Sequence, residues 1–152
     1  MEPKTIVKNR AAFAEYEILE TFEAGIELLG TEVKSLRNGR VSLKEAYAAL
    51  KKGEVYLIDC HMDPYDHGGY SNHDPVRPRK LLLHKLEIRR LTGKIQERGL
   101  TLIPLRLYFN PRGLVKVELG LGKGRKAHDK RAVIRDRDVR REAERDLKEL
   151  NR

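Results

Sequence analysis

Three histidines recur at intervals of six, His61, His67 and His73, interleaved with Asp63, Asp66 and Asp74. Imidazoles and carboxylates are metal ligands, so the group suggests a cation site. A spacing of six, however, brings side chains together on neither a helix nor a strand. The segment that carries all of these but His61, DPYDHGGYSNHDPVRPR (63–79), has three of the six prolines and two glycines, and it reads as a loop with little to hold ligands in place. A second group, His128-Asp129-Lys130-Arg131, has the residue types of a nuclease fragment, with an acid/base and cations for phosphate. Catalysis needs such groups held rigidly against a partner. No matching second histidine or carboxylate is found, so the sequence favours RNA contact over cleavage, and no metal or other cofactor is expected.

The third group is Gly122-Lys-Gly-Arg-Lys126, just after the last apolar run. With Gly120 it spaces glycines as G-x-G-x-G, without a following Gly-Lys-Ser/Thr and outside any βαβ unit, so it is no nucleotide-binding loop. Read as binding chemistry, Gly120, Gly122 and Gly124 leave room for a phosphate chain, and Lys123, Arg125 and Lys126 supply the charge beside it.

Charge across the whole chain points the same way. The 152 residues carry a formal +9. Residues 123–152 hold 12 Lys or Arg against 7 Asp or Glu, a net of +5, and the remaining +4 belongs to residues 1–122. A charge-dense thermophile-like surface accounts for density but not for this imbalance. A polyanion partner accounts for the imbalance, because each phosphate neutralised releases a counterion. Aromatic residues are only 6% and Trp is absent, which speaks against an aromatic stacking platform and for recognition of folded RNA by shape and phosphate. The single Cys60 forms no intramolecular disulfide, and no segment has the apolar length of a signal peptide or a membrane span, so the reading is a soluble cytosolic protein.

The secondary structure that holds these groups is read from periodicity. Residues 13–30 alternate, with Tyr16, Ile18, Phe22, Ile26 and Leu28 on one parity and Gly25 as a bulge or bend. Thr31–Gly39 reads as a short helix capped by Thr31 and stopped at Asn38-Gly39. Residues 46–62 read as two strands joined at Lys51-Lys52-Gly53. Arg79–Lys85 and the leucines beyond it read as helix to Gly99, the leucines as core and the cations as a solvated face. LTLIPLRLYF and LVKVELGLG, joined at Asn110-Pro-Arg-Gly113, form the clearest strand pair. The fold expected is mainly β with α: an OB-like antiparallel barrel of about six strands with short flanking helices, over 1–122. Such barrels offer a face and loops to oligonucleotides.

Residues 123–152 form a basic tail. Val139, Ala143, Leu147 and Leu150 make a helical stripe one residue wide, too narrow to hold a helix on a core. The pairs Asp136–Arg140 and Glu144–Lys148 add about 0.2–0.5 kcal/mol each. The tail is therefore expected to be disordered in the free protein and helical on a partner surface.

Five ordered blocks, Asn9-Arg10, Phe22-Glu-Ala-Gly25, Gly30-Thr-Glu-Val-Lys-Ser-Leu-Arg37, Arg79-Lys-Leu-Leu-Leu-His84 and Gly122-Lys-Gly-Arg-Lys-x-x-Asp-Lys-Arg131, together resemble the small protein B family, the SsrA-binding proteins. The resemblance covers nearly the whole chain from residue 8. It implies an RNA-binding protein rather than an enzyme. Members bind the tRNA-like domain of transfer-messenger RNA and bring it to the A site of a stalled 70S ribosome for trans-translation. Elongation factor Tu and alanyl-tRNA synthetase act on the same RNA. By matching position, it implies RNA contacts for Asn9, Glu23, Leu82, His84, Lys123, Arg125 and Lys126. It implies decoding-region contacts for His128, Asp129, Lys130 and Arg131, and a tail that enters the vacant mRNA channel. His84 stands where other members have Asn, and Val139 where some have an aromatic. The alternative is a generic OB-type RNA or single-strand binder with no ribosomal role.

Amide exchange on the free protein should show little protection across residues 132–150. Strong protection there would overturn the disordered-tail reading.

Overall fold

The computed structural model describes residues 4–66, 69, 72–125, 135, 137, 139–142 and 145. Among the described residues the named elements run in the order β1 (Lys4–Lys8), α1 (Arg10–Glu15), β2 (Tyr16–Ile26), α2 (Gly30–Arg37), β3 (Val41–Ser42), β4 (Tyr47–Lys51), β5 (Glu54–Ile58), β6 (His61–Met62), β7 (Arg79–Leu82), α3 (Lys85–Arg98), β8 (Thr101–Phe109) and β9 (Val115–Gly124). Seven strands form one antiparallel sheet in the order β1-β8-β9-β2-β7-β5-β4, and β3 pairs with β6. The sheet curls until β4 packs on β8, but it is not closed by hydrogen bonds, which leaves an OB-like barrel with two edges. Arg135, Arg137, residues 139–142 and Arg145 have helical backbone.

Local turn chemistry is where sequence and structure agree most closely. Lys52 and Gly53 both take positive φ, 50° and 76°, the two-residue turn whose twist matches a β-hairpin. At the β8–β9 turn, Asn110 Oδ1 accepts from the N–H groups of Arg112 and Leu114, and Gly113 sits at φ 80°. Gly99, at φ 64°, ends α3 and donates its N–H to Ile95.

The long strands differ from expectation. β2 is regular at Gly25, and its register shifts instead between Ile18 and Glu20. β8 shifts between Pro104 and Arg106, where proline's missing donor is tolerated. An extra residue in each strand reverses the side to which all later residues point. Tyr16 and Ile18 therefore pack with Ile103, Leu105 and Ala12 of α1, while Phe22, Ala24 and Ile26 join the main core with Leu102, Leu107, Val117 and Leu119. One parity in the sequence serves two cores. Covered on both faces, β8 is buried almost throughout. Helix α1 escapes a periodicity reading because it is only six residues long.

Arg79–Leu82 is strand, not helix, and α3 begins only at Lys85. Nor do its residues divide into buried leucines and solvated cations: Arg79 is 0% exposed, whereas Leu82 and Leu86 face solvent. Helix α2 starts after Leu29 rather than Thr31, with Leu29 N–H donating to Glu32 Oε1 at 2.7 Å. Thr31 instead meets His73 Nδ1 at 2.9 Å.

Glu32 is fully buried, and it organises this side of the molecule. Its carboxylate lies 2.5 Å from Arg79 Nε and 2.5 Å from Arg77 Nη2. Arg79 also donates to the carbonyls of Cys60 (2.6 Å) and Pro75 (3.2 Å). The described residues of segment 63–79, which reads as loose, are pinned around this group. Ser35 donates to Asp63 O at 2.6 Å, and Asn72 Nδ2 to Tyr65 O at 2.7 Å. His73 is buried, with Nε2 donating to Met62 O at 2.9 Å, so Nδ1 accepts from Thr31. Burial alone would raise the Glu32 pKa, but the bonds from Arg77, the Leu29 N–H and Arg79 outweigh it and hold the carboxyl below its ordinary 4.5.

Arg79→Ala would take from the Glu32 carboxylate its one fully buried partner and from the Cys60 and Pro75 carbonyls their donor, and should cost about 3–5 kcal/mol in urea unfolding; a loss under about 1 kcal/mol would contradict the assignment. The folded-state pKa of Glu32 lies below the unfolded one. Its stabilising contribution should therefore be complete above pH 4.5 and disappear as pH falls through the folded value, a component of acid unfolding missing in Glu32→Gln.

Candidate nucleic-acid interface

The sheet face turned away from the main core carries a polar ladder. Cross-strand register aligns Arg106, Glu118 and Glu23 on β8, β9 and β2, and one step along it aligns Tyr108, Lys116, Gly25 and then Leu82 of β7. Arg106 Nε donates to Glu118 Oε2 at 3.0 Å, and its guanidinium lies 4.5 Å from the Tyr108 ring centroid. The Tyr108 hydroxyl donates to Glu23 Oε2. Burial and that bond to Glu23 both raise the phenol's pKa, so it remains a donor and fixes the carboxylate, leaving Oε1 to accept from elsewhere.

Glu23 sits in an open depression of about 370 Å³ with Leu82, His84, Glu87 and Lys116. Leu82 stands 47% exposed in it because Gly25 lies beneath: a Cβ at residue 25 would come within 3.2 Å of Leu82 Cβ. His84 occupies the N-cap of α3, where Glu87 accepts its backbone N–H at 3.2 Å, so the imidazole projects from a fixed corner. An exposed leucine, an imidazole, a carboxylate and an ammonium in one shallow site offer apolar contact, two kinds of hydrogen bonding and a phosphate counter-charge. That suits the edge of a structured RNA better than a small enclosed ligand.

Three of the sequence-derived candidates, Glu23, Leu82 and His84, thus converge. Asn9 lies elsewhere, at the β8 bulge, where its N–H donates to Leu105 O (2.8 Å) and its Nδ2 to Pro104 O (3.1 Å). One of its amide hydrogens is committed to the fold, and Oδ1 is left to accept. Lys123 is exposed at the end of β9, opposite Glu17. Arg125 is held at the end of α1, its N–H on Glu15 O at 2.8 Å and its Nε on Tyr16 O at 3.2 Å. Lys126, His128, Asp129, Lys130 and Arg131 lie outside the described residues.

The glycine run needs correction. A Cβ on Gly120 would lie 2.9 Å from Leu105 Cδ1, and one on Gly122 would lie 2.9 Å from Ile103 Cδ1. These two glycines make room for the second core under α1, not for a phosphate chain. Gly124 alone is open. Among the described histidines, His61 pairs with Asp63 at 3.1 Å while His73 is bonded inside the fold, and no three His, Cys, Asp or Glu of the described residues are grouped to hold a metal ion. The Cys60 thiol is buried and its pKa pushed up to about 11 by that burial, so it has no reactive character. Among the described residues, no helix is long and apolar enough to cross a membrane.

Sequence reasoning missed Arg106 and Tyr108. Their signal was available as the polar parity of RLYF, matching Lys116 and Glu118 in the facing strand.

Comparison with known proteins gives a consistent picture. The family model described as SmpB protein matches residues 6–149. The SsrA-binding protein of Symbiobacterium thermophilum is 54% identical over 147 residues, covering 97% of this chain and 93% of that protein. The SsrA-binding protein of Syntrophobacter fumaroxidans is 58% identical over 142 residues, 93% of this chain and 88% of that one. A solved chain described as "tmRNA-SmpB: a journey to the center of the bacterial ribosome" superposes with a TM-score of 0.67 at 54% identity, covering 85% of this chain and 94% of that chain.

Glu23→Ala removes a negative charge from a basic protein and should strengthen non-specific RNA binding. At a base-contacting position it should instead weaken the structured-RNA complex by about tenfold or more, the scale of a charge-assisted hydrogen bond. Tyr108→Phe should weaken it less. Tighter binding by Glu23→Ala in a gel-shift titration would remove Glu23 from the interface.

Proposed function

The chain belongs to the SmpB protein family, and from that membership we propose that it binds the tRNA-like domain of transfer-messenger RNA and delivers it to the A site of stalled bacterial ribosomes. The observation that carries this reading is the family match over residues 6–149, which spans the sheet and most of the basic tail. The names of the relatives (SsrA-binding proteins) and the ribosomal setting of the similar solved chain support the RNA and the partner. The protein acts by binding rather than catalysis, in the bacterial cytoplasm where those ribosomes work. Elongation factor Tu and alanyl-tRNA synthetase act on the same RNA.

In this reading the two parts divide the work. Glu23, Leu82 and His84 read the folded RNA from the rigid sheet and the α3 corner, with Asn9 Oδ1 accepting from a second direction and Lys123 and Arg125 close to phosphates. Residues 123–152 form the second part. His128, Asp129, Lys130 and Arg131 meet the decoding region, and the helix beyond them takes shape in the vacant mRNA channel. Val139, on the stripe that would hold a docked helix, is 64% exposed, which favours a helix whose apolar edge waits for a partner. The protein thereby substitutes for codon–anticodon pairing, and translation resumes on the RNA's own reading frame.

Two measurements test this. The tRNA-like domain should bind more tightly than an ordinary tRNA in gel-shift titrations, with affinity falling steeply with salt. Deleting residues 132–152 should leave that affinity nearly intact and abolish peptide tagging on reconstituted stalled ribosomes. Loss of both together would favour a generic RNA binder.

A further inference from the structure

Several cations elsewhere on the molecule are paired with carboxylates. Arg90 and Lys94 pair with Glu20, Arg106 with Glu118, Lys80 with Glu54, and Arg40 with Asp66. At one place unpaired cations are gathered together. Lys8, Arg10, Arg137, Arg140 and Arg141 surround an open depression of about 470 Å³ beside α1, and no carboxylate among the described residues lines it. Phe13, 42% exposed, is its aromatic wall. Arg137 Nη1 reaches the Arg10 carbonyl at 3.5 Å, while its Nε is shut off from solvent without a hydrogen-bond partner.

Five like charges gathered without a counter-charge among the described residues repel one another, and a desolvated donor without an acceptor is unfavourable. Both defects are removed by one ligand: an anion with several acceptor oxygens, seated between α1 and the helical residues of the tail. The exposed ring beside it suits the flat face of a base. We propose that this depression binds a nucleotide of single-stranded RNA, its phosphate held by Arg10, Arg137, Arg140 and Arg141 and its base stacked on Phe13. The site is separate from the depression at Glu23, Leu82 and His84, and it rests on the RNA-binding reading above. It is also composite, because two residues come from the body at α1 and three from the tail. A phosphate there ties the tail to the body, so single-stranded RNA controls where the tail points.

The absence of tryptophan supplies the test, since Phe13→Trp introduces a unique fluorophore at an exposed position. A hexauridylate should quench it saturably in the full-length chain. Arg140→Glu with Arg141→Glu should weaken that quenching by about tenfold or more. Pyrophosphate at matched concentration should not quench. Equal quenching in the charge-reversed protein would remove the tail from the site, and absence of quenching would remove the base contact. Quenching by pyrophosphate equal to that by the oligonucleotide would leave an adventitious ion only. Each of these overturns the proposal. Parallel gel shifts with the tRNA-like domain separate the two readings. Retained binding without quenching sinks this site alone, whereas failure of the unsubstituted chain to bind that domain sinks the function on which it rests.

Discussion

A buried carboxylate held between two guanidinium groups is the constraint on which this side of the fold depends. Glu32 comes from α2, Arg79 from the start of β7 and Arg77 from the segment just before it, and the carbonyls that complete Arg79 from Cys60 and Pro75. Three chain segments far apart in sequence are thereby fixed to one point. A pair of opposite charges in a low-dielectric interior is not favourable by default; it persists when every remaining hydrogen-bonding position is filled. Here the Leu29 N–H takes one of the remaining carboxylate positions, and backbone carbonyls take the guanidinium donors. Because Arg79 opens β7 and Leu82 closes it, the same group sets the height at which Leu82 and His84 meet the β2 strand bearing Glu23.

Much of this was legible in the amino-acid order where the controlling physics is local. The hairpins at Lys52-Gly53 and Asn110–Gly113 and the stop at Gly99 depend on positive φ and on asparagine's affinity for neighbouring N–H groups, which adjacent residues specify. What escaped was non-local. A run such as Arg79-Lys-Leu-Leu-Leu fits strand and helix alike until its neighbours are known. Nothing near Arg79 announces that its charge is buried, since the partner lies 47 residues away. The glycines at 120 and 122 look like openings for a ligand, and they are openings for Leu105 and Ile103. Of the interface, Glu23, Leu82 and His84 could be named from resemblance. Their convergence needed the β2–β7 pairing, and the support from Tyr108 and Arg106 needed the β8–β9 register.

The sheet's two surfaces serve different ends. The inner one carries the main core and α3, clamped by Glu20 to Lys94 and Arg90; the bond from Lys94, with the charges of Arg90 and Lys94, holds the Glu20 carboxyl below its usual value against the opposing effect of burial. The outer one is split between the small apolar patch under α1 and the polar ladder of Arg106, Glu118, Tyr108 and Glu23. The bulges at Leu19 and Leu105 mark where one use gives way to the other.

Those two extra residues set how the gene for such a sheet can change. Removing Leu19 would turn Tyr16 and Ile18 toward the crowded inner side and empty the cradle beneath α1, although no apolar side chain had been lost from that cradle's own sequence. Adding a residue between Phe22 and Glu23 would exchange the faces of everything after it. Length in these two strands is therefore more tightly constrained than side-chain identity, and substitutions should accumulate there long before insertions or deletions do.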